Sequence, residues 1–365
     1  MSSFFSEMQM KDREFYYSVD PDNAGKLWNV VWVHTYCKYV YLEFHEVVCF
    51  DTTYLVNQWC MPFASFIGVN QHCQSILLGC ALITSEDIDT YKFFFTTWLC
   101  PMHGVKPTAM LTSQCESIKA TIRQVMPETI YRYCIWHIFT KLAYRLKRVR
   151  DHKIARSEFK SIVLDAITIN EFEGKWGEFI GKYGLENRNW FSNLYLEKEK
   201  WVSVYFKHYF WFGMLSTQRC EGMHAFFDGY INGQSSPKQF VEQYEIAVRA
   251  KYDKELYAEN RSRYTEAGTF SGFEWKFQLQ TRYTRTIYEL FMVQVQRLFH
   301  CEISVAEDAA ALDGVEKFNI TDFSIKNDFN GNQFVYAMEY RPSGPYLDCN
   351  YKKTFNLLGL FTAIY

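Results

Sequence analysis

Charge of one sign is what this sequence has least of: 39 Lys and Arg stand against 41 Asp and Glu, a net of −2 over 365 residues. That excludes a polycation that coats nucleic acid by bulk charge, while leaving room for a local basic face. No Cys-x-x-Cys pair occurs among the 11 Cys, and the count is odd. A disulfide scaffold is therefore not expected; a reduced, cytosolic or nuclear setting with most thiols packed in the core is. No uninterrupted apolar run approaches the ~18 residues that a membrane span needs, so none is expected. Neither a cleavable leader, an internal repeat nor a low-complexity linker is read in the chain.

What is present is apolar and aromatic. Hydrophobic residues make up 48% and aromatics 19%, enough for a large core in one large or two ordinary domains. "REFYYSV" and "KLWNVVWVHT", separated by the turn-forming "DPDNAG", read as a hairpin. "EVVCFDTTY", "PFASFIGVN" and "SILLGCALI" read as three strands, and "DIDTYKFFFTTWLCPMHG" as a helix capped by Asp89 and stopped at Gly104. A strand over 108–112, a helix over 116–126 closed by Pro127 and a strand over 130–135 complete β-β-β-α-β-α-β. Three antiparallel strands followed by parallel ones reached through helices is the order of a ribonuclease-H-like mixed sheet. From Trp136 to about Phe212 the periodicity is helical and aromatic, an all-α insertion. A second helical block starts near Gln218 and continues to about Cys301, with a hairpin around Asn330 and Gly331.

In ribonuclease-H-like nucleases and transposases, three carboxylates from the first strand, the fourth strand and a late helix hold two divalent ions that drive phosphodiester chemistry. Asp51 ends the first strand, Ser113 stands at the fourth, and Glu221 in "STQRCEGMHAFFDGY" is the late-helix candidate. Taken alone, Asp51 is a turn cap and Glu221 a surface residue, the usual fate of each type. Glu116, one turn beyond Ser113, is a poor substitute because metal ligands must be held to roughly half an ångström.

"FDTTYLVNQWCMPFASFIGVNQHCQSILLGCAL", "CIWHI" and "YFKHYFWFGMLSTQRCEGMHAFFDGYI" resemble the Mutator-like (MULE) transposase domain of the plant far-red-impaired-response family of transposase-derived transcription regulators. The resemblance implies a nuclear protein with Asp51 and Glu221 as relic carboxylates. The family's fourth-strand segment usually reads Thr-Asp-Gln-Asp; here Thr112, Ser113, Gln114 and Cys115 leave it without an acid. Cys134 and His137 match the family's Cys-x-x-His; the bland reading is a packed thiol and a hydrogen-bonded imidazole, and joining them to Cys220 and His224 as a zinc site has no support from the family. The family's N-terminal zinc domain is expected to be missing. "YLDCNYKKTFNLLGLFTAIY" resembles the start of its SWIM-type finger, with Cys349 kept and Tyr351 where the second Cys belongs, so zinc is not expected there.

The implied organisation is an N-terminal hairpin extension (1–46), a MULE core (47–235, helical insertion about 136–215), a C-terminal helical region with hairpin (236–340) and a finger remnant (341–365). The run "KLAYRLKRVRDHKIARSEFK" carries Lys141, Arg145, Lys147, Arg148, Arg150 and Lys153. As one helix it would leave Leu142, Leu146 and Val149 for packing and form either a solvated face or a phosphate track. The expected function is binding: weak, non-specific DNA association and association with family members, with no cofactor. The alternative is a metal-dependent strand-transferase using Mg or Mn on Asp51, Glu221 and a third ligand.

Overall fold

The computed structural model describes residues 2–21, 27–53, 61–166, 168–206, 211, 213–214, 216–230, 237–265, 267–268, 274–306, 316–323, 335–341 and 346–349. In chain order these give α1 (Ser2–Lys11), β1 (Tyr16–Pro21), β2 (Leu27–Val33), α2 (Thr35–Glu43), β3 (Val47–Thr53), β4 (Phe63–Val69), β5 (Ser75–Leu82), α3 (Ile88–Leu99), β6 (Ala109–Thr112), α4 (Glu116–Val125) and β7 (Ile130–Tyr133). Then follow α5 (Ile135–Arg145), α6 (His152–Asp165), α7 (Ile169–Lys182), α8 (Asn189–Leu196), α9 (Gln218–Asp228), α10 (Pro237–Tyr264), α11 (Glu274–Arg282), α12 (Arg285–Leu298), β8 (Cys301–Val305), β9 (Glu316–Asp322), β10 (Val335–Arg341) and β11 (Tyr346–Cys349). The chain forms two compact units, one of Met1–Arg156, Asn189–Trp201 and Trp211–Thr265, the other of Ser157–Arg188, Val202–Phe210 and Glu266–Tyr365.

The first unit is built on a mixed seven-stranded sheet in the order β1-β2-β5-β4-β3-β6-β7. β3 pairs antiparallel with β4 and parallel with β6, so it lies in the middle of the sheet. A strand buried on both faces must be apolar on both, which is why Val47 to Phe50 run without alternation. Side chains still point to opposite faces in turn. Phe50 and Phe66 point to α3, where they meet Phe94 and Phe95 at ring separations of 4.9 to 5.7 Å. Cys49 and Ser65 point the other way, to Cys220 and His224 of α9. Asp51, two residues after Cys49, therefore belongs to the face that α9 covers.

A bulge shapes the middle of this sheet. Phe66 pairs with Gly79 and Ile67 with Leu77, so Leu78 is the extra residue on β5. The indole N–H of Trp98 donates to the freed Leu78 carbonyl at 2.9 Å, and its ring stacks on Phe66 at 3.8 Å. Gly79 is what admits the indole, since a Cβ there would lie 2.6 Å from Trp98 Cδ1. Gly79→Ala is expected to cost about 1–3 kcal/mol through overpacking, read as a lower urea midpoint with an unchanged slope.

Several elements differ from the sequence reading. α2 occupies a Tyr- and Val-rich stretch that the sequence reading leaves unassigned; burial of Cys37, Val40 and Tyr41 at helical spacing explains why it is a helix despite its content of strand-favouring residues. α3 is capped by Asp87, which accepts from the Thr90 N–H at 2.8 Å, and Asp89 lies inside its first turn. Gly104 does follow its end, at φ +73°. The basic run is two helices: the Leu146 N–H closes α5 on Leu142, and the chain turns through Asp151 at φ +55°, a left-handed conformation that Asp tolerates.

In the second unit, Phe159, Trp176 and Phe179 form an aromatic cluster, with Phe172 packed on Trp176. Ala267, Leu279, Tyr288 and Met292 make a separate small core. The expected C-terminal hairpin is part of an antiparallel four-stranded sheet, β11-β10-β9-β8. β8 and β11, of five and four residues, are too short to announce themselves by periodicity. The turn at Asn330 and Gly331 lies outside the described residues, as does 350–365.

Candidate functional site

Asp51 ends the buried part of the central strand and is 9% exposed, with its Oδ1 accepting from the Thr52 N–H at 3.0 Å. The parallel register of β3 and β6 closes with Phe50 opposite Thr112, so Asp51 and Ser113 are the next residues on adjacent strand ends. Ser113 is half-buried, and its carbonyl accepts from Thr112 Oγ1 at 2.8 Å and from the Tyr131 hydroxyl at 3.3 Å. Its side chain contributes a hydroxyl and no charge.

Burial pushes the Asp51 carboxyl up to about 6; the His137 imidazole, the Thr52 N–H and the Thr217 hydroxyl draw it down, and the negative charge of Glu221 adds to the rise. Thr217 is the residue the sequence reading missed. It is the residue before α9, and it makes no cap bond: its N–H donates to Cys134 Sγ at 3.2 Å, and its hydroxyl lies between that sulfur, at 3.5 Å, and the Asp51 carboxylate. A Thr before a helix signals an N-cap, which hides this other use. Glu221 sits one turn on, its N–H bonded to the Thr217 carbonyl at 3.0 Å, and its side chain is exposed. His137, in the first turn of α5, has a buried Nδ1 with no hydrogen-bond partner among the described residues.

Two of the four groups considered for zinc, Cys220 and His224, are engaged with other side chains. Cys220 Sγ lies 2.9 Å from Cys49 Sγ, and burial raises the pKa of both thiols. His224 Nε2 is 2.9 Å from Ser65 Oγ, and burial lowers its imidazole to about 4, which keeps it neutral. Among the described residues, no group of three or more His, Cys, Asp or Glu is arranged to hold a metal ion. Glu116 is exposed and faces Lys119 at 3.3 Å. Cys349 ends β11 opposite Met338.

Lys141, Arg145, Lys147, Arg148, Arg150 and Lys153 are all exposed, while Leu142 and Leu146 are buried and Val149 half-buried. Lys141 Nζ reaches Gln114 Oε1 at 3.1 Å, which brings the start of this run alongside Ser113. Arg145 lies over the Trp190 ring at 6.0 Å, and Arg150 is 3.8 Å from the Asp151 carboxylate. Among the described residues, no helix is long and apolar enough to cross a membrane.

Residues 47–141 match the MULE transposase domain family. Over longer spans the chain is similar to three proteins of Arabidopsis thaliana. It is 31% identical to FAR-RED IMPAIRED RESPONSE 1 over 299 residues, 82% of this chain and 36% of that protein. It is 31% identical to FAR1-RELATED SEQUENCE 2 over 327 residues, 89% and 40% respectively. It is 30% identical to FAR1-RELATED SEQUENCE 4 over 318 residues, 87% and 43%. The chain thus spans well under half the length of these relatives. It carries a MULE transposase domain, and across most of its length it is a homologue of the FAR1-related proteins of Arabidopsis thaliana.

Proposed function

We propose that this chain is a transposase-derived nuclear protein that associates with DNA and with its relatives, built on a ribonuclease-H-like core whose strand-cleaving centre has lost an acid. The observation that carries the reading is the pair Asp51 and Ser113 on adjacent strand ends, with Glu221 on the helix covering the same face. The strand order β5-β4-β3-β6-β7, three antiparallel strands and then two parallel ones, supports the core assignment. Two carboxylates and a hydroxyl do not fit a pair of magnesium ions, which demand hard, near-octahedral oxygen ligation and enough negative charge between them. A second reading, a metal-dependent strand-transferase on Asp51, Glu221 and a third ligand, is favoured only by the closeness of Glu221 that its effect on the Asp51 carboxyl implies.

DNA association rests on the exposed cations around the α5 to α6 turn, where Asp151 is the acid paired with Arg150. Each phosphate neutralised releases counterions, so affinity should fall steeply with salt and depend little on sequence. Replacing Lys147, Arg148 and Arg150 by Ala is expected to reduce the slope of log K against log salt by about 2 to 3. Anisotropy titrations of a labelled duplex between 50 and 200 mM salt measure it; an unchanged slope and affinity would make the run a solvated face.

A further inference from the structure

The cations of α5 stand beside an aromatic ridge. Ile135, Ile138 and Leu142 bury one side of the helix. On the opposite side Trp136, Thr140 and Tyr144 follow one another at four-residue steps, which on a helix places them in one row. Trp136 is 50% exposed and Tyr144 82%. The adjoining row, at the same spacing, is His137, Lys141 and Arg145. Its first member acts on Asp51, its second touches Gln114 next to Ser113, and its third lies over the Trp190 ring. An exposed aromatic by itself needs no explanation. Two in register beside cations, leading from the Asp51 and Ser113 strand ends, form a pattern that duplex binding does not use, because paired bases present no free face.

We infer that this face of α5 binds single-stranded nucleic acid, with unpaired bases stacking on Trp136 and Tyr144 and the backbone running along Lys141 and Arg145. The inference rests on the DNA-association reading and narrows it to strands whose bases are unpaired. Charge complementarity selects the occupant: Lys141 and Arg145 are the charged members of the row and it carries no acid, and flat rings accept any base by stacking. The two aromatics are about 12 Å apart along the axis at 1.5 Å per residue. Against a rise of about 3.4 Å per nucleotide, the stacked bases are not consecutive, so sequence preference should be weak.

The test compares a labelled single strand of about 20 nucleotides, long enough to cover such a site, with the same sequence as a duplex, using the intact chain. Trp136→Ala with Tyr144→Ala is expected to weaken single-strand binding by at least about 10-fold, leave the salt slope unchanged and alter duplex binding by less than about 2-fold. Trp136→Phe with Tyr144→Phe should recover most of the loss, and unchanged thermal melting of both variants shows that the fold is intact. No loss, or an equal loss on duplex and single strand, overturns the inference while leaving DNA association standing. Natural chain that binds neither form overturns both. If a poly-glutamate peptide binds with the aromatic dependence and the single strand does not, the face belongs to an acidic protein segment and the inference fails.

Discussion

Asp51→Asn is expected to stabilise the chain by about 3 kcal/mol at pH 7 and to leave it unchanged below about pH 4, at 1.36 kcal/mol for each pH unit of differential proton affinity. Burial moves the carboxyl from its ordinary 3.8 to about 6. Between those values the folded chain holds a proton that the unfolded chain releases, so stability falls as pH rises through that window and stays low above it. Asparagine keeps the shape, can still accept from the Thr52 N–H, and removes the charge whose burial is costly. Urea melts of natural and Asp51→Asn chains at pH 4 and pH 7 measure the effect. A variant less stable than the natural chain at pH 7 would mean that the neighbours of the carboxylate more than offset the cost of burying its charge.

The sequence made the central sheet legible because β3, β4 and β5 are apolar runs of seven or eight residues, and because "FDTTY" and "MLTSQ" mark the polar ends where β3 and β6 stop. The period-2 rule then assigns Asp51 and Phe50 to opposite faces, but it cannot say which face a helix about 170 residues later will cover. Cys220 on Cys49 and His224 on Ser65 supply that information, and neither pairing has a local signal. The same holds for Thr217, whose partners Cys134 and Asp51 come from a different helix start and a different strand. α2 was hidden by its own propensity. The turn inside the basic run was hidden because Lys and Arg are good helix formers; the break at Leu146 and Asp151 is set by tertiary packing of Leu142 and Leu146.

Incubated with Mn²⁺ and supercoiled plasmid, the natural chain is expected to leave the plasmid intact. Asp51 and Glu221 bring two negative charges, Glu221 is exposed, and Ser113 offers a neutral hydroxyl where two dications would need a shared anionic oxygen. Two ions held together by so little opposite charge would repel each other through a partly desolvated site. Ser113→Asp places a carboxylate on the strand end next to Asp51, and the crowding of like charges has a readable consequence without metal: the Asp51 carboxyl should rise further, lowering stability above pH 6. Adding Mn²⁺ should reverse that loss, raising the melting temperature of Ser113→Asp well beyond any shift in the natural chain, because a ligand confined to the folded state stabilises it by mass action. Cleavage need not return with metal binding, since phosphodiester chemistry also requires the strand to be held in line with the ions. Natural chain that nicks the plasmid, with the activity lost in Asp51→Ala, would overturn the loss of catalysis and favour the metal-dependent strand-transferase in its place. A natural chain that takes up no Mn²⁺ while Ser113→Asp does would assign the loss to one residue, and to the charge that residue no longer carries.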